Sequence, residues 1–464
     1  MMPIEIDVTR SPRQFFTTPW DPVIVRRGDA LGLRVLADQF GDAVAPDLSN
    51  RIRDGRWMTI LAWCLARSHE TFHACGGRSV ETRAEQRRRY AWLRPLELMW
   101  VARTIALAPD EKTNRTLNGI RRVKPWYDKH GMKPERFGMS ETQFHAYRQT
   151  GMYGGYRRAF RKWPDMTLFG DGWTPGLATW KLAQWLDNRL KEARPARCMH
   201  EDESDLSTTA RRARNKEHQW WLRQWPNFDK GSRQADAETL PRPRDDFTIL
   251  PEASLLSPLA FGEDARGAKR KAVARAVVAA TARTHIGICD HLAGVFTDDP
   301  VIAALPRFSR LADAGMEAMD IVAKVLGGNP DVSLNDIARH PGAKIVCREL
   351  FDAARKWAMG VNPDIRHVES ASCFADIIRS PDPEECLRAL IEHHEIRGGG
   401  LRWFALRDGR VEARSPARFG SSRYGFRFWP LCRLAVQCGI VPGMPRALLD
   451  DPRADEDSIE EDNE

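Results

Sequence analysis

The sharpest chemical signal in the sequence is His69-Glu70-Thr71-Phe72-His73, two histidines four residues apart with a glutamate beside the first. On a helix, side chains at i and i+4 share a face, so His69 and His73 could hold one Zn²⁺ ion while Glu70 acts as general base on a metal-bound water. Such a site needs a third ligand, and Glu81, Glu85 and Glu97 follow in the next stretch of chain. Two neighbours count against it: Arg67 places a charge, and Gly76 a helix stop, where the helix should continue uncharged. Histidines beside an apolar stripe are also commonly satisfied by hydrogen bonds at the edge of a core, so both readings stay open. Two looser sets, His285, Cys289 and His291, and Cys386, His393 and His394, have no partner cluster at metal-site spacing.

A second kind of chemistry is contact with phosphate. Arg87, Arg88 and Arg89 form one cationic run, and Arg157, Arg158, Arg161 and Lys162 form another. The second lies among Tyr127, Tyr147, Tyr153, Tyr156, Phe160 and Trp163. Cations that track a backbone beside rings that stack bases are the equipment of sequence-tolerant single-strand binders. Arg211, Arg212 and Arg214 precede Trp220, Trp221 and Trp225; Lys269, Arg270 and Lys271 open a helical stretch; Lys344 and Arg348 sit on the second helix of a helix-turn-helix-like pair. The alternative for each cluster is a solvated helix face, or aromatics turned inward with arginine stems laid over them.

These residues need elements to hold them. Trp57, Ile60, Leu61, Cys64, Leu65, Ser68 and Phe72 fall within about 120° on a helical wheel. Met58, Ala62 and Trp63 widen that face, so a central helix is expected over residues 51–77, capped by Ser49 or Asn50 and ended by Gly76-Gly77. A first helix is expected over residues 31–40, a long one over 80–107 interrupted by Pro95, and an amphipathic one through Leu182, Trp185, Leu186 and Leu190. Val273, Ala276, Val277 and Ala280 mark a further face; Leu311, Ala318, Met319, Val322 and Leu326 mark another, stopped by Gly327-Gly328-Asn329-Pro330. Residues 333–356 read as two helices about His340-Pro341-Gly342, residues 402–413 as a hairpin with Asp408-Gly409 at its tip, and 427–438 as an apolar helix before Gly439. The expected class is therefore mainly α: a multidomain helical protein with a small α+β, winged-helix-like module near its C-terminus. Five parts are expected: an N-terminal helical domain with a basic-aromatic subdomain (1–197), a linker and Trp-rich connector (198–250), a helical bundle (251–360), a helix-hairpin-helix module (361–447) and a disordered acidic tail (448–464).

Composition narrows the functions. Nine scattered cysteines without CxxC point to reduced, buried thiols, and the absence of a signal-peptide pattern or a long apolar run points to the cytoplasm and away from membranes. The chain carries +8, yet residues 450–464 hold nine acids and one Arg, so the remainder carries +16, a balance that attracts polyanions. With 57 Arg against 14 Lys, genome composition could account for part of this skew, so clusters weigh more than the total. No P-loop, Rossmann fingerprint, GxSxG elbow or kinase motif set is present, which argues against nucleotide-driven chemistry in this chain.

Over its five residues the HExxH resembles the zincin metallopeptidases. More broadly, LGLRVLADQFGDAVAPDLSNRIRDGRWMTILAW (31–63) and YGFRFWPLCRLAVQCGIV (424–441) resemble uncharacterised bacterial proteins of similar length associated with phage-defence gene neighbourhoods. That resemblance transfers no site residue. It implies a non-catalytic partner of a helicase, nuclease or ATPase. The expectation is a cofactor-free component that binds nucleic acid, DNA before RNA, or acts as a scaffold in a multi-protein defence system. The alternatives are a zinc hydrolase using Glu70 with His69 and His73, and a protein-protein adaptor that binds no nucleic acid.

Overall fold

Asp29 opens the first helix: its carboxylate accepts hydrogen bonds from the backbone N–H groups of Leu33 (3.1 Å) and Arg34 (2.8 Å). The computed structural model describes residues 29–52, 54–74, 151–193, 248–397, 403–414 and 424–449, with single positions between 93 and 128. Helix α1 (Arg34–Val44) buries Leu36, Ala37, Phe40 and Val44, the i, i+4 stripe its sequence carries. Helix α2 (Arg56–Ala74) follows. It begins later than residue 51, and its cap is Asp54 instead of Ser49 or Asn50: Asp54 Oδ1 accepts from Arg56 N at 2.7 Å. Ser49 serves the turn before it, accepting from Arg51 N at 3.2 Å. Every residue from Trp57 to Leu65 is 1% exposed or less, so α2 is buried around its whole circumference. Its expected stop at Gly76-Gly77, and the expected helix over 80–107 as a unit, lie outside the described residues.

Helix α3 (Met152–Lys162) and α4 (Leu177–Ala193) pack on α2. A helical layer comes next: α5 (Ala253–Phe261), α6 (Ala265–Ala279), α7 (His285–Val295) and the long α8 (Pro300–Leu326). Helix α8 has both ends specified by sequence. Asp299 accepts from Val301 N and Ile302 N, Pro300 takes the first helical position, and Gly327 closes the helix at φ +52°.

After α8 come β1 (Asp331–Ser333), α9 (Leu334–Ala338), α10 (Pro341–Met359), α11 (Val368–Ile377), α12 (Pro383–Arg397), β2 (Phe404–Arg407), β3 (Arg410–Ala413), α13 (Phe428–Gln437) and α14 (Arg446–Leu449). The strands form one antiparallel sheet in the order β1-β3-β2, with Val332 opposite Val411 and Leu406 opposite the same Val411 on its other side. Asp408 and Gly409 both take positive φ (49° and 74°), as a tight two-residue hairpin turn requires. The protein is mainly helical with a small sheet near the C-terminal end, as its sequence pattern indicates. Helix α11 and strand β1 carry no sequence signal strong enough to have been anticipated.

A single cluster of buried residues runs from Ala30 to Leu448 and draws on every folded segment into which the sequence divides. A buried polar hub closes it. Asp54 Oδ2 accepts from Arg433 Nη2 (2.9 Å) and Gln437 Nε2 (3.0 Å) on α13, and Tyr156 on α3 donates its hydroxyl to the Asp54 carbonyl (2.9 Å). One turn away, Glu252, fully buried, holds Arg56 through both oxygens and accepts from Thr59 at 3.2 Å; burial, its largest influence, raises its carboxyl against the lowering effect of Arg56. Among the described residues no helix is long and apolar enough to cross a membrane.

Candidate nucleic-acid interface

Helix α3 separates its two chemistries by helical phase. Met152, Tyr153, Tyr156, Ala159 and Phe160 point into the core, which leaves Arg157, Arg158, Arg161 and Lys162 on the opposite half. Helix α6 starts where Asp264 accepts from Arg266 N (3.0 Å) and Gly267 N (3.1 Å), and carries Arg266, Lys269, Lys271 and Arg275 away from its buried stripe.

The two helices meet through the loop that follows α1. Arg270 of α6 lies 5.4 Å from the ring centroid of Trp163, the residue that ends α3. Its guanidinium donates to the carbonyls of Ala260 (2.5 Å), Pro46 (2.8 Å) and Leu259 (3.4 Å). On either side of this joint, Arg158 pairs with Asp42 at 2.5 Å and Arg266 with Asp47 at 2.8 Å. Asp42 also holds the buried Arg427. Two cationic clusters a hundred residues apart thus border the end of α1 and the loop that follows it.

Of the expected phosphate contacts, Arg270 is corrected. At 1% exposure, with three carbonyl acceptors and an indole face, it is an internal tie; burial, its largest influence, lowers its guanidinium to about 10. Lys269 and Lys271 flank it half-buried, paired with Asp299 (2.6 Å) and Glu263 (3.6 Å). Arg161 is half-buried and donates Nε to the Gly170 carbonyl (3.2 Å), Lys162 is exposed, and Arg157 is half-buried. Lys344 and Arg348 are exposed on α10, which packs against α8, α11 and α12, elements apart from the α3 and α6 joint. Arg348 is 3.9 Å from Asp352 one turn on. Arg87, Arg88, Arg89, Arg211, Arg212 and Arg214 lie outside the described residues.

The framework is electrically even. The described residues hold 35 Lys and Arg against 35 Asp and Glu, so the chain's +8 belongs to residues outside them. The local excess on α3 stands out against that background.

One feature of this region escaped the sequence reading. Between α3 and α4 the chain runs Pro164-Asp165-Met166-Thr167-Leu168-Phe169-Gly170-Asp171-Gly172-Trp173, and Phe169 is 103% exposed with φ +56°. A bulky side chain in left-handed backbone costs on the order of 1 kcal/mol and persists only where its surroundings enforce it. They do so here. Asp171 accepts from Trp173 N (2.6 Å), Thr174 N (2.9 Å) and Thr174 Oγ1 (2.6 Å); Thr167 Oγ1 accepts from Gly172 N (3.1 Å) and donates to the Phe160 carbonyl (2.8 Å). Tyr153 donates its hydroxyl to the Gly172 carbonyl, and Leu168 N donates to Thr174 O at 2.8 Å. The signal that could have flagged the loop is an apolar pair directly before Gly-Asp-Gly.

The HExxH residues occupy the end of α2. His69 and His73 have ring centroids 4.3 Å apart, and His69 meets Trp180 edge-on at 6.2 Å. Glu70 is ion-paired with Arg67, which also reaches Asp187 at 2.7 Å. Glu97 is buried and accepts from Tyr153 N at 3.3 Å; Glu81 and Glu85 lie outside the described residues. Among the described residues no three His, Cys, Asp or Glu side chains converge as a metal site would require. Of the looser sets, Cys289 lies 3.9 Å from His285 on α7, while His393 and His394 donate to the carbonyls of Leu31 and Ala30, each at 2.9 Å.

No protein-family model, curated protein or solved structure matches the chain.

Proposed function

We propose that this chain is a non-catalytic, nucleic-acid-binding or scaffold component of a bacterial anti-phage system, acting in the cytoplasm beside a helicase, nuclease or ATPase, with DNA favoured over RNA. The observation that carries it is the meeting of the α3 and α6 cationic clusters across the last turn of α1, which carries Asp42, and the following loop, which carries Asp47. Arg158 pairs there with the part-exposed Asp42, a contact of low net strength that a phosphate can exchange for its own, while the exposed side chain of Arg266 rests on the buried carboxylate of Asp47. The +16 carried outside the acidic tail adds a long-range attraction for polyanions.

The test is binding of the full chain to single- and double-stranded DNA and RNA across a salt series. Affinity falls steeply as salt rises, because phosphate contacts release counterions. Charge reversal at Arg158, Lys162 and Arg266 lowers affinity for every sequence alike and reduces the salt slope by about one per lost contact. Absence of binding at low salt transfers the chain to the adaptor reading. A second reading, a zinc hydrolase, is favoured by the adjacency of His69 and His73. Stoichiometric zinc in the purified protein that disappears in His69→Ala would establish the metal, and Glu70→Gln would then have to abolish hydrolysis while leaving the zinc bound.

A further inference from the structure

We infer that Phe169 is a base-stacking residue: the loop between α3 and α4 presents its ring to an unpaired nucleotide while the end of α3 holds the neighbouring phosphates. This rests on the nucleic-acid reading above and goes beyond it in naming the strand type and the contact.

Three observations converge on this loop. The ring stands clear of the protein on both faces, held in a backbone conformation that a phenylalanine avoids, by hydrogen bonds from Asp171, Thr167 and Tyr153. A residue merely left over at the surface would relax its backbone; here the loop's hydrogen bonds hold the backbone that carries the ring outward. Apolar Leu168 and Leu177 are also exposed, which widens the surface a base can cover. The cations are placed for the backbone of the same strand. Arg161 donates to the carbonyl of Gly170, next to Phe169, with exposed Lys162 beside it and Arg158 one turn earlier. Lys181 is exposed on the first turns of α4. Against these four cations stand exposed Asp165 and half-buried Asp171, and the carboxylate oxygens of Asp171 accept from Trp173 N, Thr174 N and Thr174 Oγ1.

An aromatic face beside arginine suits any base and so gives binding without sequence preference. An unpaired strand offers base faces at no cost, whereas inserting the ring into a duplex must first unstack a step. The occupant is therefore single-stranded nucleic acid.

The experiment compares the full-length protein and its Phe169→Ala variant on a single-stranded oligothymidylate and on the same strand built with abasic sugars. Stacking predicts that wild type binds oligothymidylate about 5- to 100-fold more tightly than the abasic strand, and that Phe169→Ala removes this preference while binding the abasic strand as wild type does. Phe169→Trp retains it. If wild type binds both strands equally, or if Phe169→Ala keeps the preference, the stacking role is overturned while nucleic-acid binding stands, and the tip passes to a protein partner. If wild type binds neither strand at low salt, the nucleic-acid reading itself has fallen. A preference for duplex over single strand that Phe169→Ala abolishes would replace stacking by wedge insertion and also overturn the inference.

Discussion

Asp54 caps α2 with one carboxylate oxygen and receives Arg433 and Gln437 with the other, at a site 1% exposed. Replacing it with Ala takes the carboxylate from a buried guanidinium, a change that costs about 3–5 kcal/mol. Urea denaturation measures this directly, and a loss below about 1 kcal/mol would show that the hub is dispensable. Phe169 behaves in the opposite sense: Phe169→Gly releases left-handed strain and raises the melting temperature by about 2 °C. His393 makes stability depend on pH. Burial, its largest influence, holds its pKa below the ordinary 6.5, so the folded protein takes up its proton later than the unfolded chain does. Stability is therefore full above that value and falls as pH drops below it. His393→Gln keeps a donor for the Leu31 carbonyl and flattens the fall in melting temperature between about pH 7.5 and about pH 5.5. Residue types were legible in the sequence, but their direction was not always followed. Arg270 shares a helical stripe with Gly267, Ala274 and Val277, all buried, and the stripe is readable. A guanidinium is excluded from a core by habit of chemistry, and only the carbonyls of three distant residues make this one an exception.

At the level of elements, legibility follows how local the determinants are. Helix α8 is written in its ends, Asp299-Pro300 and Gly327, and the β2–β3 turn in Asp408-Gly409. Strand β1 is three residues long and exists because β3, some eighty positions later, accepts it; nothing within Asp331–Ser333 announces this. The α3–α4 loop combines both cases. Its glycines and Asp171 mark a turn, whereas the fixed orientation of Phe169 depends on Tyr153 and Phe160 of the preceding helix. Gly176 anchors that loop by donating to the Met166 carbonyl at 2.9 Å, and a Cβ there would stand 2.2 Å from the backbone oxygen of Asp165. Gly176→Ala accordingly destabilises the protein by about 1–3 kcal/mol, read as a lower denaturation midpoint, and displaces the Phe169 tip with it.

Over the whole molecule, charge and core are distributed differently. The described framework is neutral, while the chain as a whole is cationic and ends in nine acids within fifteen residues. A chain stopped at Leu449 changes from +8 to +16. It should bind a nucleic acid more tightly at low salt, with a steeper salt dependence, as fluorescence anisotropy would measure; unchanged affinity would show that the tail does not compete for the cationic surface. The core, in contrast, ignores sequence order. Asp54 and Gln437 are 383 residues apart, and a ribosome working at about 5–20 residues per second needs about 20–75 s to deliver the second after the first. Throughout that interval the nascent chain carries the indoles and leucines of α2 with their last neighbours still unmade. Synthesis of α13 thus closes the packing around α2, and any premature stop upstream of α13 leaves α2 bare to chaperones and proteases.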